Sequence, residues 1–245
     1  MDIEKQLAVQ SFCFRNFKDN REVAGMVKEC GLSAIELCGV HADFNDESSF
    51  DDIIGIYRDS GVSIISIGVE KMTDDKDAAR RRFEFVKKAG AQVMSVDFPP
   101  DSVPAAYRTV EELADEYDIL CGIHNHGGRH WLGSTQILAH VFNSTSKRIG
   151  LSLDTAWALD SGEDPVAMAD RFSERIHIVH LKDFTFSPSR QHKDVIAGTG
   201  NLDLSALFTT LEGTSYDGPL VIEYEADPEA PVESLKKCAD NIRRT

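Results

Sequence analysis

Four apolar runs in the second half of the chain each end in ionisable side chains: Cys121-Gly-Ile-His124-Asn-His126, Ile149-Gly-Leu-Ser-Leu-Asp154, Ile176-His-Ile-Val-His180-Leu-Lys182 and Gly218-Pro-Leu-Val-Ile-Glu223-Tyr-Glu225. Each is short, and the last follows a turn signal, Tyr216-Asp-Gly-Pro, so they read as buried strands. A charge at the end of a buried strand is costly unless something neutralises it. Four strands converging such groups on one rim describe a metal site. One ligand per strand gives His124, Asp154, His180 and Glu223. Two neutral imidazoles and two carboxylates bring one divalent ion close to neutrality. The mixed N/O set points to Mn first, with Zn, Co, Fe or Mg as the other candidates. An ion with open positions would bind vicinal oxygens of a substrate and act as a Lewis acid on a carbonyl.

Side chains two apart on a strand share a face, and this parity sorts the neighbouring groups. His126 goes with His124, Lys182 with His180, and Glu225 with Glu223, while His177 turns away from His180. Ser152 and Gly150 share the face of Asp154 and are small enough for a crowded interior. Glu223, His126 and Lys182 are the candidates for moving protons. Glu36, Glu225, Trp157 and Trp131 are the candidates for holding substrate, the two tryptophans by stacking. Plainer roles stand beside these: a salt bridge for Glu36, barrel-mouth packing for the tryptophans, and pairing with Asp154 or Asp183 for Lys182. Asp183 and Glu225 could also orient ligands.

Strand-like and helix-like segments alternate along the whole chain and supply the frame. Strands are expected at 6–12, 33–37, 62–67 and 92–97, ahead of the four loaded runs. Helices are expected at 20–30, 50–59, 74–89, 103–116, 133–143, 164–172, 202–211 and 232–243. Several helices close on glycine just before the next strand, at Gly31, Gly61 and Gly90. Eight such units in 245 residues predict a single-domain (β/α)8 barrel over residues 1–245, with its site at the C-terminal ends of the strands. A doubly wound open sheet is the alternative, but no glycine-rich dinucleotide turn follows the first strand. Ser187–Gly200 is the longest polar loop and the candidate lid.

Composition narrows the class. A formal charge of −15 argues against a nucleic-acid partner. No apolar run approaches the ~20 residues of a membrane span, and the N-terminus lacks a basic stretch leading into an apolar one. A cytoplasmic protein is therefore expected. The five cysteines are odd in number and lie mostly within apolar patterns, so reduced core cysteine is the expectation.

The ordered set Ile35-Glu36-Leu37, His124-Asn-His-Gly-Gly128, Leu153-Asp-Thr155, His180-Leu-Lys-Asp183, Gly198-Thr-Gly-Asn-Leu-Asp203 and Tyr216–Glu225 resembles the xylose isomerase-like barrel superfamily of sugar (phosphate) isomerases and epimerases. The resemblance implies metal ligation by Asp154, His180 and Glu223, and a small sugar or polyol-derived substrate. It also implies barrels that often pair. Two positions depart from the pattern. His124 stands where such proteins usually carry Glu, in a Glu-Asn-His motif, so one of the two carboxylate bases of an epimerase is missing. Trp157 stands where many have His. The reading is a metal-dependent isomerase or epimerase working by proton transfer beside a carbonyl. A keto-sugar lyase, dehydratase or hydratase is the alternative, and a non-catalytic sugar-binding barrel is the reading from another class.

Overall fold

The computed structural model describes residues 1–245. Eight strands form the barrel: β1 (Leu7–Gln10), β2 (Ala34–Leu37), β3 (Ser63–Ile67), β4 (Val93–Asp97), β5 (Leu120–His124), β6 (Ile149–Asp154), β7 (Ile176–Leu181) and β8 (Leu220–Ile222). Chain neighbours other than β3 and β4 pair in parallel, and β1 also pairs with β8. The ring closes through a two-residue strand, Glu70–Lys71, which continues from β3 and pairs with Val96 and Asp97 of β4. Gly68 makes the join possible. A Cβ there would lie 2.5 Å from Ser95 Cβ, and its φ of +149° is open to glycine but not to other residues.

The helices follow the expected order, with shifts of one or two residues at their ends. Much of the acidic excess serves them: Asp19, Asp75, Asp154, Asp164 and Asp203 each accept a backbone N–H at a helix start. Gly31, Gly61 and Gly90 all have positive φ, as a helix-closing residue requires. Several boundaries differ from expectation, β1 stopping at Gln10 and β5 at His124, each two residues short. β8 is three residues long, because after Ile222 the chain keeps one further ladder bond, from Glu223 N–H to Leu181 O, and then leaves the sheet. A short helix, Thr155–Asp160, starts at the end of β6 where the capping Asp154 turns the chain.

Strand parity divides the interior. Outward residues such as Val9, Ile35, Met94, Ile123, Leu151, Leu181 and Ile222 are fully buried in the main core. Inward, Ala8, Val93, Ile178 and Val221 form a separate apolar cluster that plugs the barrel. Two residues further along β1, β2, β4 and β6 lies a polar layer of Gln10, Glu36, Ser95 and Ser152, and the ionisable groups stand next to it. The waist is narrow: a Cβ on Gly122 would approach Ser152 N to 2.8 Å. All five cysteines are free and buried, as expected.

The 187–200 loop is not a plain polar excursion. Its first half completes an antiparallel hairpin, Asp183–Phe186 with His192–Val195. Asp183, 1% exposed, accepts the backbone N–H groups of Gly198, Gly200, Asn201 and Leu202 at 2.7–3.0 Å. It therefore clasps the loop after the hairpin rather than orienting a ligand.

Candidate metal centre

β5, β6, β7 and the end of β8 bring His124, Asp154, His180 and Glu223 together, with donor atoms all within 4.8 Å of one another. His124 Nε2 lies 3.5 Å from Asp154 Oδ2 and 4.0 Å from Glu223 Oε2, and His180 Nδ1 lies 2.8 Å from Glu223 Oε2. Donors bound at ~2.05 Å in a tetrahedral shell would be spaced ~3.3 Å apart, so the quartet fits a single cation. Both ring nitrogens of His124 and Oδ2 of Asp154 are buried without a hydrogen-bond partner. Orphaned buried polar atoms of this kind call for a ligand.

Neighbouring groups lock the ligands in place. Asp154 Oδ1 accepts the Trp157 N–H at 2.7 Å, which leaves Oδ2 turned into the centre. Asn125 exchanges two hydrogen bonds with the Asp154 backbone, at 2.8 and 2.9 Å, and so ties the end of β5 to that of β6. Thr155 Oγ1 contacts His180 O, Lys182 O and Lys182 N, tying β6 to β7.

Charge and burial set the protonation states. Burial, aided by repulsion from His180, lowers His124 to about 3, so it is neutral and able to ligate. Burial raises Asp154 to about 6. Burial alone would lower His180, but Glu36 and Glu223 outweigh it and lift the ring to about 10. Without a cation, His180 therefore carries the compensating charge. Burial would raise Glu223, yet Lys182 and the hydrogen bond from His180 hold it well below the usual range.

The other expected site residues divide. Lys182, 1% exposed, donates from Nζ to Glu225 Oε1 and lies 3.6 Å from Glu223 Oε1. The surrounding carboxylates outweigh its burial and keep it charged. Glu225 is held in turn, its N–H donating to Asp194 Oδ2 of the hairpin at 2.9 Å. His126 lies beside His124, ring centroids 4.5 Å apart, and burial lowers it to about 4. Trp157 packs edge-on against Phe184 and His192 of the hairpin, with Lys182 Nζ 5.1 Å from its ring centre. Trp131 donates from Nε1 to Phe98 O at 2.9 Å. Glu36 corrects the sequence reading. It is fully buried in the polar layer inside the barrel, bonded to Gln10 and Ser95, and does not stand at the mouth for substrate.

A second cluster, Asp97, His126 and His130, escaped the sequence reading, although His126 and His130 have a ligand-like spacing. His130 Nδ1 accepts the Leu132 N–H at 3.3 Å, which places the ring proton on Nε2, 3.4 Å from Asp97 Oδ1. Ligation through Nε2 would move the ring hydrogen to Nδ1, against the Leu132 N–H, so the cluster reads as a polar wall beside the centre.

The architecture is a barrel of parallel strands carrying a candidate metal quartet at the C-terminal strand ends. The chain belongs to the xylose isomerase-like TIM barrel family, whose model matches residues 25–244. It is 28% identical over 156 residues to the rhizopine catabolism protein MocC of Rhizobium meliloti, covering 56% of this chain and 48% of that one. It is 26% identical over 136 residues to an inosose dehydratase of Lacticaseibacillus casei, covering 49% and 46%. The chain thus matches about half the length of these curated relatives. Among solved structures, an IOLI protein with a zinc atom superimposes with a TM-score of 0.78 over 98% of both chains at 14% identity, a likeness of fold.

Proposed function

We propose that this chain is a divalent-metal-dependent lyase that eliminates water from a keto-polyol or keto-sugar. One observation carries the proposal. Glu223 keeps an oxygen, Oε1, outside its 2.8 Å contact with His180 and facing Lys182, while β5 offers His124 instead of a second carboxylate. A single base serves an elimination, in which one face of the substrate can both lose and return the proton. It does not serve an epimerisation that exchanges protons at two faces.

A divalent ion held by His124, Asp154, His180 and Glu223 would polarise the substrate carbonyl. Glu223 takes the proton from the carbon beside that carbonyl, the new C=C forms, and the C–O bond of the β-hydroxyl breaks. The proton passes from Glu223 to the departing hydroxyl, which leaves as water, so atoms and charge balance. Lys182, held charged and desolvated against Trp157, donates hydrogen bonds to substrate oxygens. Neutral His126 accepts one at the β5 side. The name of the inosose dehydratase relative makes inosose the first substrate to try.

Isomerisation or epimerisation is the second reading, favoured by His126 as a proton carrier on the strand across from Glu223. Incubation with Mn or Zn in D2O, followed by mass spectrometry, separates the two. Elimination gives a product lighter by one water. Deuterium entering a product of unchanged formula would overturn the lyase in favour of the isomerase. For Glu223→Gln we expect kcat/KM to fall roughly 10²–10⁴-fold. Sugar binding with no turnover in wild type and variant alike would leave a non-catalytic barrel.

A further inference from the structure

Glu36 has no place in the proposed reaction, yet it is a carboxylate at 0% exposure inside the barrel. Its neutral partners are Gln10 Nε2, donating to Oε1 at 2.6 Å, and Ser95 Oγ, donating to Oε2 at 3.1 Å. Ser95 contacts Ser152 Oγ at 2.9 Å, and Gln10 Nε2 also donates to Gly68 O at 3.1 Å, so the layer is fixed from four sides. Two neutral hydrogen bonds do not repay the burial of a charge. The single ion-pair partner of Glu36 is His180, whose Nε2 lies 3.0 Å from Oε1.

We infer that Glu36 is a positioning residue for the metal ligand His180, holding the ring hydrogen on Nε2 so that the Nδ1 lone pair is turned to the cation. The Nε2–Oε1 contact lies off the axis of an aligned hydrogen bond. The consequence for the tautomer does not need alignment. A bare Nε2 lone pair would face a carboxylate oxygen at 3.0 Å, so Nε2 carries the hydrogen. Nδ1, at the Glu223 side, is then the nitrogen left to ligate. A carboxylate behind a metal-bound imidazole also makes the ring a stronger donor. Gln10 and Ser95 keep Glu36 from swinging away, which is why its layer is polar where a barrel interior is ordinarily aliphatic.

This inference rests on the metal-centre reading, and its test separates the two. Zinc affinity is measured by chelator competition for wild type and Glu36→Gln, alongside long-range proton–nitrogen spectra of the zinc-loaded, histidine-labelled proteins. In the wild type, His180 should show hydrogen on Nε2 and metal on Nδ1. Glu36→Gln should bind zinc roughly 10–100-fold more weakly, with Glu36→Asp recovering part of the loss. A role confined to packing would shift the melting temperature and leave affinity and tautomer alone. Unchanged zinc affinity in Glu36→Gln, or hydrogen on Nδ1 of wild-type His180, overturns the inference and leaves the centre standing. Failure of the wild type to bind zinc overturns both. Should Glu36→Gln not fold, the wild-type tautomer decides.

Discussion

His180 carries the clearest consequence at the scale of single residues. With no cation its ring is charged up to about pH 10, because Glu36 and Glu223 flank it. A cation at Nδ1 must displace that proton, so affinity rises with pH. We expect an increase of about tenfold per pH unit between neutrality and pH 9, the slope of one displaced proton. Below the value near 6 to which burial raises Asp154, a second proton competes and the slope steepens. Calorimetry of zinc binding in buffers of different ionisation enthalpy measures the number directly. A pH-independent affinity would mean that His180 is not a ligand.

At the scale of elements, the hairpin after β7 is one wall of the site and depends on a single clasp. Phe184 stacks on His192 at 4.4 Å, Trp157 meets both rings edge-on, and Asp194 holds the Glu225 backbone. The following turn is fastened by the four N–H groups that share Asp183. Asp183→Ala leaves the buried Leu202 N–H without an acceptor, a loss of about 1–3 kcal/mol, and frees the three part-buried N–H groups beside it. The expected outcome is a lower melting temperature and faster proteolysis between residues 187 and 202. Zinc affinity should hold, since Asp183 contacts no member of the quartet.

For the molecule as a whole, the metal centre joins strands far apart in the chain, so its occupation should stabilise the entire barrel. Zinc at a hundred times its Kd would add about 2.7 kcal/mol. For a chain of this length that raises the melting temperature by roughly 5–11 °C. Glu223→Ala should abolish the shift, and calorimetric scans with and without zinc test it. Ile137 is the single large apolar side chain that is exposed. No helix is long and apolar enough to cross a membrane.

Local signals in the sequence were enough for the barrel. Each strand–helix unit carries its own periodicity, capping aspartate and closing glycine, and these act over a few residues. They also placed His124, Asp154, His180 and Glu223 on one rim, because parity along a strand is a local property. What only the tertiary structure decided is depth and partnership. Glu36 and Glu223 look alike in sequence as glutamates on apolar strands, yet one is enclosed in the polar layer and the other faces the rim. The difference comes from what closure of the barrel packs around each carboxylate, Gln10 and Ser95 against Glu36 and Lys182 against Glu223, which no single segment encodes. The clasp of Asp183 depends on a loop folding back over 19 residues to Leu202. Likewise the protons of His130 and His180 follow from what happens to lie beside each ring, Leu132 and Asp97 in one case and two carboxylates in the other. Residue type and spacing select the candidates; the field that closure of the barrel builds around each one assigns its chemistry.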